Sequence, residues 1–360
     1  MTTGVERDVL AYSNCPVPNA LLTALVSGRL KREGIALEVL TGSQGDLHFT
    51  YDHPQYTRFG GEIPPLVSEG LRAPGRTRLL GITRFVGRQG FYVAAESQVT
   101  DAAGLAGRRV GVSSAAIRIL RRELGDYQRL DPWNQTLTAL GTWEARGLLA
   151  TLSRGGLELG DVELVAIETP GVDLPPDQLH SSSSIKGADL FPAVASHQSS
   201  ILASGTVDAL FSWLPWAAEL EDLSGARIVS DLSDDDRNIY ASVWTVSARL
   251  IDDRPDLVQR LVDAAVDAGR WARDHHDEVV AIHAENLGVA QSAIGRGFGA
   301  DFTEHLGPAL DDESFAILEQ TQRFLLDRQL IDRATDLEQW AAPDFLADSI
   351  KRLTTIGACR

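Results

Sequence analysis

A thiol, two histidines, an arginine and a pair of glycines are the residues of this chain whose types and spacing could do chemistry together. Cys15 lies in Tyr12-Ser13-Asn14-Cys15-Pro16-Val17-Pro18-Asn19, where the short apolar run Val9-Leu10-Ala11-Tyr12 gives way to a helix-length segment, residues 19–27, with Leu21, Leu22, Leu25 and Val26 on one side. Pro16 biases Cys15 toward an extended backbone, and Pro18 suits the first turn of a helix, where its missing N–H costs nothing. A thiol beside a helix N-terminus meets unpaired N–H groups and a positive dipole end, which favour thiolate and bound anions. The second stretch, residues 47–65, holds His48, His53, Arg58, Gly60 and Gly61 among Phe49, Tyr51, Tyr56 and Phe59. Arginine offers a planar fork matched to a two-oxygen anion, Gly61 lets a backbone N–H approach a ligand closely, and His48 could take a thiol's proton or stabilise the thiolate. Each also has an ordinary reading: an inert core cysteine, a structural histidine, a surface ion pair.

These residues need a scaffold. Strands are expected at 35–40, 77–82, 90–95, 162–167, 226–229 and 242–247, residues 101–112 read as a short helix, a turn and a strand, and residues 201–213 as a helix end, a turn and a buried strand, with helices at 66–72, 143–152 and, capped by Ser113, up to about 124. From 256 onward the pattern is mainly helical. Strands alternating with helices in two blocks imply two α/β lobes with parallel sheets. Residues 41–65 read as a long aromatic-rich loop and residues 170–187 as a Ser/Gly/Pro-rich one, and segments of that length inside a compact domain are usually functional.

A chain of 360 residues, 44% of them hydrophobic, can bury a large core. Its formal net charge of -17 argues against nucleic acid or an anionic membrane as partner, since both need a basic footprint. Two cysteines at opposite ends, Cys15 and Cys359, build neither a disulfide framework nor a zinc site. No apolar leader and no membrane-length apolar run occur, so a cytoplasmic, soluble monomer is expected. His275-His276 reads as a solvated helix end, Gly295-Arg296-Gly297-Phe298-Gly299 lacks the strand and spacing of a dinucleotide loop, Asp234-Asp235-Asp236 reads as an acidic turn, and Trp213 and Trp216 read as core or lobe-interface packing.

Leu105-Ala106-Gly107-Arg108-Arg109-Val110-Gly111-Val112 and Ser204-Gly205-Thr206-Val207-Asp208-Ala209 resemble segments of the two-lobed solute-binding proteins for sulfonate, nitrate and thiamine precursors. That resemblance implies a periplasmic-binding-protein-like (type II) α/β fold with a ligand cleft. Residues 1–95 plus 240–360 would form the first lobe and 96–239 the second, with crossings at 90–95 and 241–246. A closer likeness covers nearly the whole chain. The Cys15 segment, His48-Phe49-Thr50-Tyr51-Asp52, Tyr56-Thr57-Arg58-Phe59-Gly60-Gly61-Glu62-Ile63-Pro64-Pro65, Asp131-Pro132-Trp133, Trp143-Glu144-Ala145-Arg146 and Lys186-Gly187-Ala188-Asp189-Leu190-Phe191-Pro192 resemble the hydroxybiphenyl sulfinate desulfinases, the last enzymes of dibenzothiophene desulfurisation. The resemblance implies that Cys15 is catalytic with His48 and Arg58, that Gly61 helps hold the sulfinate, and that Phe49, Trp143 and Phe191 enclose the biphenyl rings. It implies an aromatic sulfinate substrate and neither metal nor organic cofactor. His53 stands where the family pattern has an amide.

Cleaving an aryl carbon from sulfur without protonation would release an aryl anion far too basic to form at neutral pH, so a proton must reach the ring carbon. Either the Cys15 thiol supplies it, or thiolate attacks sulfur to give a thiosulfonate-type adduct. Two other readings share the fold: a non-catalytic binder of an aryl sulfonate, and an enzyme of pyrimidine-precursor synthesis.

Overall fold

The structure is a computed structural model and describes residues 7–13, 15, 17–40, 50–85, 87–168, 193–233 and 235–358. His48, Phe49, Phe191, Cys359 and the loop expected at 170–187 lie outside the described residues.

Two five-stranded sheets organise the chain. The first takes β1 (Asp8–Ser13), β2 (Ile35–Val39), β3 (Tyr56–Gly61), β4 (Thr77–Phe85) and β10 (Tyr240–Ser247), in the order β2-β1-β3-β10-β4. The second takes β5 (Gln89–Val93), β6 (Arg109–Val112), β7 (Glu163–Ala166), β8 (Ala209–Trp213) and β9 (Arg227–Asp231), in the order β7-β6-β8-β5-β9. In each sheet four strands share one direction, three of them paired side by side in parallel, and β10 in one and β5 in the other run antiparallel to both neighbours. This is the two-lobed α/β architecture that the alternation of elements implied.

The crossings fall elsewhere than expected. Residues 89–93 do not bridge the lobes; they are a fully buried strand between β8 and β9, and the chain crosses between Phe85 and Gln89. Gly90 fits there because a Cβ would come within 2.2 Å of the Ser230 carbonyl oxygen. The return likewise precedes residues 241–246, which belong to β10. A second correction concerns residues 56–61, read as loop. They form β3, between β1 and β10 in the first sheet, and all six are buried. A strand covered on both faces shows no polar–apolar alternation, and a double glycine lowers its apparent strand preference further.

Local signals place the helices that matter. Asn19 caps the helix Ala20–Val26, its Oδ1 accepting the Leu22 N–H at 2.8 Å, so Pro18 stands outside the helix, one residue before the cap. Ser113 caps Ser114–Leu120 by accepting the Ala116 N–H at 3.2 Å. The helix Thr142–Gly155 stops at Gly156, whose φ of 65° is the left-handed turn glycine adopts without strain. The interior is continuous between lobes: one cluster joins Leu10, Phe59 and Trp244 to Leu210, Leu214 and Trp216, and another joins Ile63 and Leu79 to Val93, Leu148 and Phe211. Among the described residues no helix is long and apolar enough to cross a membrane.

Candidate active site

The parallel pairing of β1 with β3 sets Ser13 opposite Arg58, and the chain carries Cys15 just beyond that strand end. The Gly61 N–H donates to Cys15 Sγ at 3.4 Å. The neighbouring glycine is equally constrained, since a Cβ on Gly60 would lie 2.3 Å from Cys15 Cβ, 2.6 Å from Sγ and 3.1 Å from Arg58 Nη2. Sulfur and guanidinium therefore flank the same residue. Arg58 is only 2% exposed, and its Nη1 donates to the Gly61 carbonyl at 2.9 Å. A guanidinium buried this deeply is expensive to desolvate, and a site that tolerates it is suited to an anion. The surface ion-pair reading does not describe Arg58.

The second lobe supplies the facing wall. Trp143, in the first turn of Thr142–Gly155, presents its six-membered ring to Gly61, where a Cβ would meet Cζ2 at 2.7 Å and Cη2 at 2.8 Å. Its ring stacks on Trp213 at 5.4 Å between centroids, and Trp213 contacts Trp216 at 5.6 Å. The interface reading of Trp213 and Trp216 holds, with the addition that they back a wall of the site. The Trp143 indole N–H donates to Glu62 Oε1 at 3.0 Å, and Arg146 Nη1 lies 3.9 Å from the same oxygen. Glu62 is completely buried, which pushes its carboxyl up, while the Arg146 charge pulls it down.

Beneath the thiol, Tyr12 is held above the ordinary phenol range by burial and by the nearby Cys15 sulfur. Tyr56 donates to Ser13 Oγ at 2.7 Å, and Trp244 Nε1 donates to Thr57 Oγ1 at 3.0 Å, so each strand beneath the site is tied by a side chain to its neighbour. The site is thus a thiol, a backbone donor and a buried cation against an aromatic face. It could hold a planar aryl group whose substituent carries two anionic oxygens.

No family model matches the chain. Individual proteins do. It is 65% identical over 346 residues to the 2'-hydroxybiphenyl-2-sulfinate desulfinases of Rhodococcus erythropolis and Rhodococcus qingshengii, covering 96% of this chain and 94% of each relative. The chain belongs to the 2'-hydroxybiphenyl-2-sulfinate desulfinase family. A crystal structure of a DSZB mutant in complex with biphenyl-2-sulfinic acid superposes with a TM-score of 0.93 at 65% identity, covering 96% of this chain and 99% of that one. The periplasmic aliphatic sulphonate binding protein SsuA from Escherichia coli superposes with a TM-score of 0.62 at 15% identity, over 93% and 92% of the two chains, and shows the fold alone. The periplasmic-binding-protein-like fold inferred from the two short motifs is therefore the fold of this desulfinase family member.

Of the residues the sequence singled out, the structure brings Cys15, Arg58, Gly61 and Trp143 together. His53 is engaged within its own turn, where its Nδ1 accepts the Gln55 N–H at 3.2 Å. His275 stacks on Trp271 at 4.4 Å and His276 Nδ1 pairs with Thr303 Oγ1 at 3.0 Å, and among the described residues no group of three or more His, Cys, Asp and Glu could hold a metal. Sequence reasoning missed Glu62 and Arg146 as neighbours of the site, because neither residue type nor spacing marks a buried pair formed across the lobes.

Proposed function

We propose that this chain is a cytoplasmic, monomeric hydrolase of a carbon–sulfur bond, converting 2'-hydroxybiphenyl-2-sulfinate to 2-hydroxybiphenyl and sulfite. The observation that carries the reading is the Gly61 N–H aimed at Cys15 Sγ, with the buried Arg58 guanidinium against the same face of Gly60 as the thiol. In this reading Cys15, His48 and Arg58 are catalytic, and Gly61, Phe49, Trp143 and Phe191 hold the substrate, as the family likeness implies.

The donors favour one of the two routes. Hydrogen bonds and cations accelerate a step when charge grows on the atom they face. If the thiol gives its proton to the ring carbon, negative charge grows on Sγ, where Gly61 and Arg58 stabilise it. If thiolate attacks, charge leaves Sγ, and the same groups stabilise the ground state instead. Cys15 is accordingly the acid: the S–H bond breaks, a C–H bond forms at the ring carbon, and the C–S electron pair goes to that carbon as sulfur dioxide leaves. Hydration of sulfur dioxide to bisulfite releases one proton, which restores the thiol, and the sum is hydrolysis without oxidant or reductant. Glycine at 61 and arginine at 58 would hold the two sulfinate oxygens, and the Trp143 face would lie along the rings.

The test is sulfite release from 2'-hydroxybiphenyl-2-sulfinate by wild type and Cys15→Ser. Turnover by wild type that is lost in the variant is expected. A wild type that binds the sulfinate but never releases sulfite would instead make the chain a binding protein, and a covalent Cys15 adduct trapped by mass spectrometry would overturn the proton-donor route.

A further inference from the structure

A carboxylate that follows the sulfinate-binding glycine and is wholly enclosed by protein is an odd choice if stability alone is at stake. Glu62 is 0% exposed, and the Trp143 indole N–H at 3.0 Å and the Arg146 guanidinium at 3.9 Å from its Oε1, together with the backbone amides of Glu62 itself and Ala241, offset part of the cost. An apolar residue of similar volume usually packs such a position at lower cost. What a carboxylate adds is direction. Glu62 follows β3 in the first lobe, whereas Trp143 and Arg146 lie on Thr142–Gly155 in the second, so the contact spans the two lobes beside the thiol. Stacking on Trp213 fixes the tilt of the Trp143 ring but leaves it free to rotate in its own plane; a hydrogen bond from Nε1 fixes that rotation. Arg146 is itself anchored, donating to Thr321 Oγ1 at 2.9 Å and to the Arg237 carbonyl, so the acceptor is held from a third direction.

We propose that Glu62 is a positioning residue of the desulfination reaction: its Oε1 grips the Trp143 indole N–H across the lobes, pins that ring against Gly61, and so keeps the Gly61 N–H on Cys15. The proposal rests on the desulfinase reading for its kinetic arm and has a second arm that does not.

Glu62→Leu removes the acceptor, Glu62→Gln keeps a carbonyl acceptor without charge, and Trp143→Phe removes the donor while keeping a ring. Glu62→Leu is expected to lower kcat/KM for sulfite release by about 30-fold, more through kcat than KM, because a misplaced wall disturbs the reacting geometry. Glu62→Gln should return to within about 3-fold of wild type, and the double variant Glu62→Leu/Trp143→Phe should be no worse than the poorer single variant, as coupled residues behave. The second arm needs no substrate: alkylation of the Cys15 peptide by iodoacetamide, referenced to Cys359, should fall several-fold in Glu62→Leu and Trp143→Phe but not in Glu62→Gln, because the thiolate is the species alkylated and it loses the Gly61 donor. Wild-type kcat/KM in Glu62→Leu, losses in Glu62→Gln equal to those in Glu62→Leu, or a double variant whose loss is the product of the singles would each overturn the proposal. An unchanged alkylation rate in all variants overturns it even if the wild type proves inactive on sulfinates. Should Glu62→Leu fail to fold, Trp143→Phe and Glu62→Gln carry both arms, and full activity with unchanged alkylation in Trp143→Phe overturns it.

Discussion

The two sheets have the same strand plan and unequal chemistry. In each, a parallel trio is followed by one antiparallel strand and an outer neighbour: β2-β1-β3 then β10 and β4, and β7-β6-β8 then β5 and β9. Corresponding strand ends differ sharply. Past β1 stands Cys15, whereas past β6 stands Ser113, whose hydroxyl caps a helix and whose N–H is taken by Glu144 at 2.8 Å. On β3 stand Arg58, Gly60 and Gly61, while the matching β8 ends in Trp213, a ring in the aromatic wall. Under the proposed function one lobe would carry the reacting groups and the other the surface that confines the substrate.

That division can be broken from the reactive side first. Cys15→Ser should cost roughly 10^3-fold or more in kcat, because a hydroxyl is far too weak an acid to replace the thiol. Residual activity near wild type, measured as sulfite release, would remove Cys15 from the chemistry. Arg58→Lys comes next, with a loss of about 100-fold in kcat/KM, since an ammonium has neither the fork nor the reach. Activity within a few-fold of wild type would show that charge alone suffices there. Gly61→Ala should cost about 10- to 30-fold, as the added methyl meets the Trp143 ring, held by Glu62 and Trp213, at 2.7 Å and forces the two lobes apart locally. If its kinetics match wild type, the wall is not in contact during turnover. On the confining side, Trp213→Leu should raise KM by about 3- to 10-fold with little change in kcat, because it loosens the ring behind Trp143 without touching the acid. A kcat loss larger than the KM change would put chemistry on the second lobe too.

The smallest effect concerns stability alone and lies away from both strand ends. His283 is fully buried beside Phe298 and Phe302, and burial pushes its imidazole down to about 4. Between about pH 6.5 and 4 the unfolded chain binds a proton there that the native chain does not, so native stability falls as pH drops through that window, by on the order of 3 kcal/mol at most. His283→Asn should flatten the dependence of the thermal midpoint on pH in that range. Parallel curves for the two proteins would show that other groups carry the acid sensitivity.

Much of the reactive lobe could be read from local signals. The junction at Cys15 announced itself through an apolar quartet and two prolines, each acting within a few residues, while the Asn19 cap emerged only from the structure. Arg58 and Gly61 were found by their residue types, but their strand was not, because β3 owes its existence to β1 and β10 on either side rather than to its own pattern. The confining lobe was less transparent. A glutamate such as Glu62 looks like surface until the chain brings Trp143 to it from the other sheet, and the Trp213–Trp143 stack joins residues whose spacing says nothing of their contact. The family likeness located Trp143; only the fold explained why it stands there.

The placement of β10 also fixes when the site can come into being. β3 carries Arg58 and Gly61 near the start of the chain, but its second neighbour begins at Tyr240, after all five strands of the other sheet have been passed. During synthesis the lobe spanning β5 to β9 can close on itself as soon as its own strands emerge, whereas the reactive sheet waits with β3 unflanked on one side. The thiol, though encoded first, thus belongs to a sheet whose last strand is encoded only after the aromatic wall is complete.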